Sequence, residues 1–198
     1  MISQKLTNGN TTRSGRPPYG FVLLDFPSDH EIDGGLVTEC RMISSLLYNR
    51  GMGSSVKLIT ISLIERFKEH QWKSYPKCSF VHISGHGSKE GLGFIGGDVS
   101  WEEIGNKIKI IAPKIKNKQE KRILCLSCCN SVFGYKKLVD ITSDHFHGIY
   151  YFKNKELSFA TAMTVWAMFY RKKMLDFPQA AVANSINKFF SERVILFG

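Results

Sequence analysis

The sequence predicts an α/β fold with a mostly parallel central sheet of about six strands flanked by helices. Short runs of consecutive apolar residues recur along the chain, as strands covered on both faces of a sheet require. Between these runs lie segments whose apolar residues recur every three or four positions, which is the period of an amphipathic helix. Alternation of strand and helix favours parallel strands joined by right-handed crossovers.

The predicted strands share a largely apolar sequence bounded by polar or small residues. They cover residues 21–24, 56–61, 79–84, 122–127 and 148–152, and a last strand is predicted over 193–197. In a sheet of this kind, the chemistry gathers at the carboxyl ends of the strands.

The predicted helices share an apolar stripe. The stripes are Leu36, Cys40, Ile43 and Leu47, ending near Gly51; Trp101, Ile104, Ile108, Ile111 and Ile115; Ala160, Met163, Ala167 and Tyr170; and Val182, Ile186 and Phe189 after Asp176 and Pro178. Ser100 with Glu103 has the spacing of a capping box and predicts the start of the second stripe. Ser62 with Glu65 has the same spacing and predicts a further short helix toward His70.

Composition predicts one domain without a membrane span. Residues 1–18 are polar and end in Pro17-Pro18, which indicates a flexible tail before a single domain over 19–198. The tail lacks the apolar segment of a secretory signal, and no apolar run reaches the length of a membrane helix. Five cysteines, three of them clustered, suit free thiols in a reducing compartment. We therefore expect a cytoplasmic protein.

The net charge of +10 does not predict nucleic-acid binding. The densest basic stretch, 107–122, interleaves its charges with isoleucines at helical spacing, which favours a solvated helix face. No nucleic-acid motif accompanies it.

Two predicted strand ends carry reactive side chains. The third strand runs into Ser84-Gly85-His86-Gly87-Ser88, and the fourth runs into Ser127-Cys128-Cys129-Asn130-Ser131. Adjacent strands lie about 5 Å apart, so side chains leaving both ends can approach hydrogen-bond reach, as a thiol–imidazole pair needs. The imidazole raises the fraction of thiolate, which is the attacking species. Glycines beside His86 let a substrate approach the backbone, whose N–H groups can stabilise an oxyanion.

The order of these two motifs resembles the caspase-like superfamily (clan CD) of cysteine peptidases, and most closely its bacterial CHAT-type members. His86 lies upstream of Cys129 at a separation near the roughly 50 residues of caspases. Gly91-Leu92, Phe169-Tyr170 and the closing residues 194–198 are similar to later landmarks of that family.

The resemblance implies a caspase-like three-layer sandwich and a thiol endopeptidase that needs no cofactor or metal ion. It places His86 as the general base and Cys129 as the nucleophile of a Cys-His dyad. It also implies that the backbone N–H groups of Gly87 and Cys129 form the oxyanion hole.

The substrate side of the site is less defined by the sequence. Metacaspases place an acid two residues before the nucleophile to receive a basic side chain, but Ser127 occupies that position here. Asp25, Asp29 or Asp33, near the end of the first strand, could supply an acid instead. Asp25, Ser127 and Ser84 are the candidate substrate-binding residues.

The resemblance also bears on regulation and partners. About twenty residues separate Cys129 from the fifth strand, too few for a long excised linker, so we expect control by an activating or regulatory protein partner. Single-domain bacterial relatives imply a role in cell-suicide or antiviral defence, with a protein substrate such as a gasdermin-type pore former.

Five alternatives remain at this point. The cysteine doublet allows Cys128 as the nucleophile, and Cys129 could be merely a buried small residue. Cys125 and Cys128 have the spacing of two zinc ligands, to which His86 could be added as a third. The same two cysteines could instead form a redox pair. The chain could also be a catalytically silent caspase-like interaction module. Cys40, Cys125 and His82 are expected in the core, as are Trp101, Trp166 and Phe169, whereas His145 and His147 could be solvated or near the site.

Overall fold

The structure, a computed structural model, describes residues 20–27, 38–117, 121–154, 156, 158–174 and 177–198. The predicted tail, Asp29, Asp33, Leu36 and Asp176 lie outside the described residues.

The strands form a mixed but mostly parallel sheet. They are β1 (Gly20–Phe26), β2 (Val56–Thr60), β3 (Cys78–Gly87), β4 (Gly91–Phe94), β5 (Gly97–Ser100), β6 (Ile123–Ser127), β7 (Gly148–Phe152) and β8 (Ile195–Phe197). The order of the main sheet is β2-β1-β3-β6-β7-β8, and its pairs are parallel apart from β7 with β8. β4 and β5 form an antiparallel extension of the end of β3. The predicted α/β class and mostly parallel sheet are confirmed.

Helices cover both faces of this sheet. They are α1 (Glu39–Asn49), α2 (Ile64–Glu69), α3 (Trp101–Ile111), α4 (Ser131–Thr142), α5 (Phe159–Met174) and α6 (Gln179–Phe190). One core lies between the sheet and α2, α3 and α4, and a second lies between the sheet and α1, α5 and α6. Side chains alternate along a strand, so Leu124 enters the first core and Cys125 the second. This arrangement is compatible with a three-layer sandwich. No helix of the described residues is long and apolar enough to cross a membrane.

Two helix predictions had different outcomes. The Ser100 side chain accepts a hydrogen bond from the Glu103 N–H at 3.2 Å and caps α3, as predicted. The capping box at Ser62 is wrong, because Ser62 is engaged by another segment: its carbonyl accepts a bond from the Ile95 N–H at 2.8 Å. α2 therefore begins at Ile64 without a side-chain cap.

Two parts of the fold were not predicted from the sequence. The β4–β5 hairpin and α4 lie in segments that showed neither an apolar run nor a clear stripe. Both lie beside the predicted site, because β4 pairs with the end of β3 and α4 follows the cysteine doublet.

Candidate active site

The two motif-bearing strands end side by side. β3 and β6 are adjacent and parallel, and their register sets Ser84 opposite Ser127. Beyond Ser84, β3 continues because it pairs with β4, which sets His86 opposite Gly93. Alternation places the side chains of His82, Ser84 and His86 on one face of β3. His82 is buried, Ser84 is half-buried and the His86 imidazole is exposed.

The cysteine doublet occupies the turn between β6 and α4. Cys128 points into the core, where 2% of it is exposed, whereas Cys129 is half-buried. Asn130 follows with φ of 55°, a left-handed conformation that asparagine tolerates better than most residues. Cys129 thus precedes the amino terminus of α4, whose dipole favours negative charge nearby.

The end of β3 and the turn of the cysteine doublet touch through Gly87. A Cβ added at Gly87 would lie 2.1 Å from the Cys129 carbonyl oxygen and 3.0 Å from Cys128 Sγ, so only a glycine fits between them. Asn130 Nδ2 also donates a hydrogen bond to the Gly87 carbonyl at 3.2 Å. His86 and Cys129, on either side of this contact, line one cavity of about 160 Å³.

The backbone N–H of Gly87 points away from β4. The Ser88 N–H donates to the Gly91 carbonyl at 2.9 Å, which makes Ser88 and Gly91 a hydrogen-bonded pair of the hairpin. Hydrogen-bonded and non-hydrogen-bonded pairs alternate in an antiparallel ladder, so the next pair, Gly87 with Leu92, is of the second kind. The Gly87 N–H therefore lies on the side of the strand where its carbonyl meets Asn130.

The remaining cysteines of this region are core residues. Burial raises the pKa of the Cys128 thiol, with a smaller contribution from the charges of Cys129 and Glu39. Burial also raises the pKa of Cys125, which is in the core on the other face of the sheet from Cys128. Among the described residues, no three histidine, cysteine, aspartate or glutamate side chains gather as a metal site would need.

Glu39, the first residue of α1, is a residue of the site that sequence reasoning missed. It lines the cavity beside Cys129 and is 3% exposed. Its Oε1 lies 2.7 Å from His82 Nε2, and its Oε2 accepts a bond from the Ser127 hydroxyl at 2.8 Å. The signal was present, because Glu39 precedes Ile43 by one helical turn and so places a charge on the apolar stripe of α1.

The predicted substrate-binding residues separate into two groups. Ser84 and Ser127 line the cavity. Asp25 is not among the described residues that line it, since its carboxylate is buried at the end of β1. There Asp25 Oδ2 accepts bonds from the hydroxyls of Thr38 at 2.8 Å and Thr60 at 3.4 Å.

His145 and His147 lie away from His86 and Cys129. They precede β7, which is parallel to β6, and so lie at the amino ends of the strands, whereas His86 and Cys129 lie at the carboxyl ends. His145 is buried, with its Nδ1 2.6 Å from the Ala112 carbonyl, and His147 is exposed. Trp101, Trp166, Phe169, Cys40 and Cys125 are buried, as predicted.

Comparison with known proteins assigns no family to the chain. No family model matches the sequence, and no curated protein matches it.

Proposed function

We propose that the chain is a cysteine endopeptidase of the caspase-like superfamily, with Cys129 as the nucleophile and His86 as the general base. One observation carries the proposal: a half-buried thiol and an exposed imidazole leave adjacent strand ends and line the same cavity. Gly87, next to His86, lets the two backbones pack closely, because an added Cβ would lie 2.1 Å from the Cys129 carbonyl oxygen.

The chemistry that this pair performs is acyl transfer. The Cys129 thiol gives its proton to His86 as its sulfur attacks the peptide carbonyl carbon. The C–N bond then breaks, and the imidazolium passes the proton to the leaving amine. Water, deprotonated by His86, attacks the resulting thioester, and the C–S bond breaks to release a carboxylic acid and the thiol.

In the proposed mechanism, the backbone N–H groups of Gly87 and Cys129 form the oxyanion hole. The direction of the Gly87 N–H, away from β4, supports this role because the N–H is not consumed by the hairpin. The amino terminus of α4 adds positive potential on the same side. Such donors typically contribute about 10²–10³-fold to the rate each.

The burial of the doublet supports Cys129 over Cys128. Burial raises the pKa of the Cys128 thiol, so this cysteine supplies little thiolate. Only 2% of Cys128 is exposed, so its sulfur also cannot reach a substrate. Cys129 is the more accessible of the two.

The proposed substrate is a protein, and control by a protein partner remains part of the proposal. The proposed role of the chain in cell-suicide defence, with a pore-forming protein as the substrate, is based only on the resemblance of the two motifs.

A comparison of cysteine variants tests the proposal. We expect Cys129→Ala to abolish cleavage of a diverse peptide library, read by mass spectrometry, while its thermal unfolding stays close to that of the wild type. Cys128→Ala should retain cleavage, because its sulfur is buried behind Gly87. Cys78→Ala is the matched control, since Cys78 is a buried cysteine at the far end of the same strand as His86.

Cleavage by folded Cys129→Ala would overturn the assignment. Loss of cleavage in Cys128→Ala but not in Cys129→Ala would move the nucleophile by one residue. Absence of cleavage by the wild type, alone and with protein partners captured by it, would favour the silent interaction module.

A further inference from the structure

The cavity beside Cys129 contains a buried carboxylate that the proposed dyad does not use. Resting on the proposed function, we infer that this cavity receives the side chain preceding the cut, that the side chain is arginine or lysine, and that Glu39 binds its positive group. Ser127 lies where an acid would be expected for this specificity, and Glu39 provides the acid from the adjacent helix.

The dimensions of the cavity fit one side chain. Its volume of about 160 Å³ is close to that of an engineered protein cavity, ~150 Å³, that holds a benzene molecule. It is well below the ~300–1,000 Å³ of sites for drug-sized ligands. A single residue of a peptide is therefore the part of a substrate that enters it.

The cavity has both apolar and polar lining. Phe159 and Ala162 of α5 supply apolar surface, and the Phe159 ring is 44% exposed, so a substrate can contact it. Glu39 and Ser127 supply oxygen atoms. An apolar wall leading to a carboxylate matches arginine and lysine, whose apolar stems end in a charge.

A chain of polar contacts holds the Glu39 carboxylate at one end of the cavity. The Ser127 hydroxyl donates to Oε2 at 2.8 Å, and His82 Nε2 lies 2.7 Å from Oε1. On the other side of the His82 ring, Tyr170 OH lies 3.1 Å from Nδ1. Each carboxylate oxygen therefore has one buried polar partner from the protein.

This carboxylate has capacity for a further partner. An ionised carboxyl offers about four acceptor positions, of which His82 and Ser127 take one on each oxygen. Among the described residues that line the cavity, His86 is the one that can carry a positive charge, and it belongs to the proposed dyad. A guanidinium or ammonium group from the substrate would meet a buried opposite charge, whereas an acidic side chain would be repelled.

The test compares arginine with citrulline, its neutral counterpart of nearly the same shape. We expect wild-type protein to hydrolyse a fluorogenic peptide ending in arginine with a kcat/KM at least about tenfold above that for the citrulline peptide, the range of a charge-assisted hydrogen bond. Glu39→Gln should reduce this ratio to nearly one. Glu192→Gln, which removes an exposed charge after α6, should keep the ratio.

A binding measurement keeps the inference separate from catalysis. In the Cys129→Ala background, calorimetry with the corresponding peptide amides should show tighter binding of arginine than of citrulline, and added Glu39→Gln should remove the difference. If the wild type, alone and with captured protein partners, cuts neither these two peptides nor any peptide of the library, the proposed function fails, and the binding comparison alone decides the inference.

An equal kcat/KM for the arginine and citrulline peptides, or an equal affinity for the two peptide amides, would overturn the inference. So would wild-type cuts in the library that follow acidic or apolar residues while depending on Cys129, a result that leaves the proposed function standing. If Glu39→Gln unfolds, the arginine-to-citrulline ratio of the wild type and of Glu39→Asp, which retains the charge, gives the same decision.

Discussion

Gly87, the last residue of β3, lies where this strand meets the turn that contains Cys129. Its carbonyl accepts from Asn130, and its N–H points to the same side of β3, away from β4, so one residue connects the two halves of the proposed dyad. Its missing side chain is what permits the contact, since a Cβ at this place would overlap the Cys129 carbonyl.

Replacing Gly87 with alanine is expected to push the end of β3 and the Cys129 turn apart. Cleavage should fall by about 10²-fold or more in kcat, because a displacement of about 1 Å is enough to misalign a reacting pair. Gly93→Ala is the matched control: Gly93 lies opposite His86 on β4, and its added Cβ would come no closer than 3.4 Å to another atom. Steady-state kinetics of both variants checks the prediction, which fails if they lose activity equally.

At the level of single residues, the sequence predicted that His86 and Cys129 lie at adjacent strand ends, but it did not predict the carboxylate beside them. The positions of His86 and Cys129 follow from a local pattern, since small residues come directly after apolar strands. Glu39 comes to the cavity through the docking of α1 on the sheet, and its bonds to His82 and Ser127 join residues far apart in the chain. Asp25 was a candidate because it lies near the end of β1, but its carboxylate accepts from Thr38 and Thr60 instead of lining the cavity.

Among the elements, the connection from β6 to α4 has a left-handed backbone requirement at one residue. Three residues separate the strand from the helix, and Asn130 makes the turn with a positive φ. The same residue donates its side-chain amide to Gly87, so its backbone and its side chain have separate roles.

Two substitutions at Asn130 should separate these roles. Asn130→Ala is expected to lower the free energy of unfolding by about 1–2 kcal/mol, the cost of a left-handed conformation, in addition to losing the hydrogen bond. Asn130→Gly relieves the backbone cost, so its stability should be higher than that of Asn130→Ala. Urea unfolding measures the difference, and equal stability of the two variants would contradict the left-handed turn as the cause.

The elements missed by sequence reasoning were those whose form depends on tertiary contacts. α4 contains Gly134, a poor helix residue, because a Cβ there would lie 2.9 Å from the Trp101 ring. β4 begins at Gly91, where a Cβ would lie 1.9 Å from the Val99 carbonyl. The glycines that these contacts require weaken the local patterns by which a helix or strand is found in a sequence.

Across the whole molecule, buried thiols lie on both faces of the sheet. Burial is the main cause that raises the pKa of Cys40, Cys125 and Cys128 above the ordinary value of 9.0. Above pH 9 these thiols ionise in the unfolded chain but stay protonated in the folded one. The unfolded state then binds fewer protons, so stability falls as the pH rises.

We expect the free energy of unfolding to decrease by about 1 kcal/mol per buried thiol between pH 9 and pH 10. Urea unfolding under reducing conditions measures it. Between pH 9 and pH 10, the free energy of unfolding of Cys40→Ala should decrease by about 1 kcal/mol less than that of the wild type, because one buried thiol is absent. A stability that is constant from pH 8 to pH 10 would contradict the prediction.

Because side chains alternate along a strand, each buried residue of the sheet packs in one of the two cores. The core in which two residues lie decides whether their substitutions have coupled effects on stability. Phe80 and Val81 are neighbours in the chain, yet they lie on opposite faces of β3 and share no core. Phe80 and Phe169 are distant in the chain, but their ring centroids are 6.1 Å apart. In double-mutant cycles, the sequence neighbours should behave as independent sites and the remote pair as a coupled one. For this molecule, distance along the chain is therefore a poor guide to epistasis, and the face of the sheet is a good one.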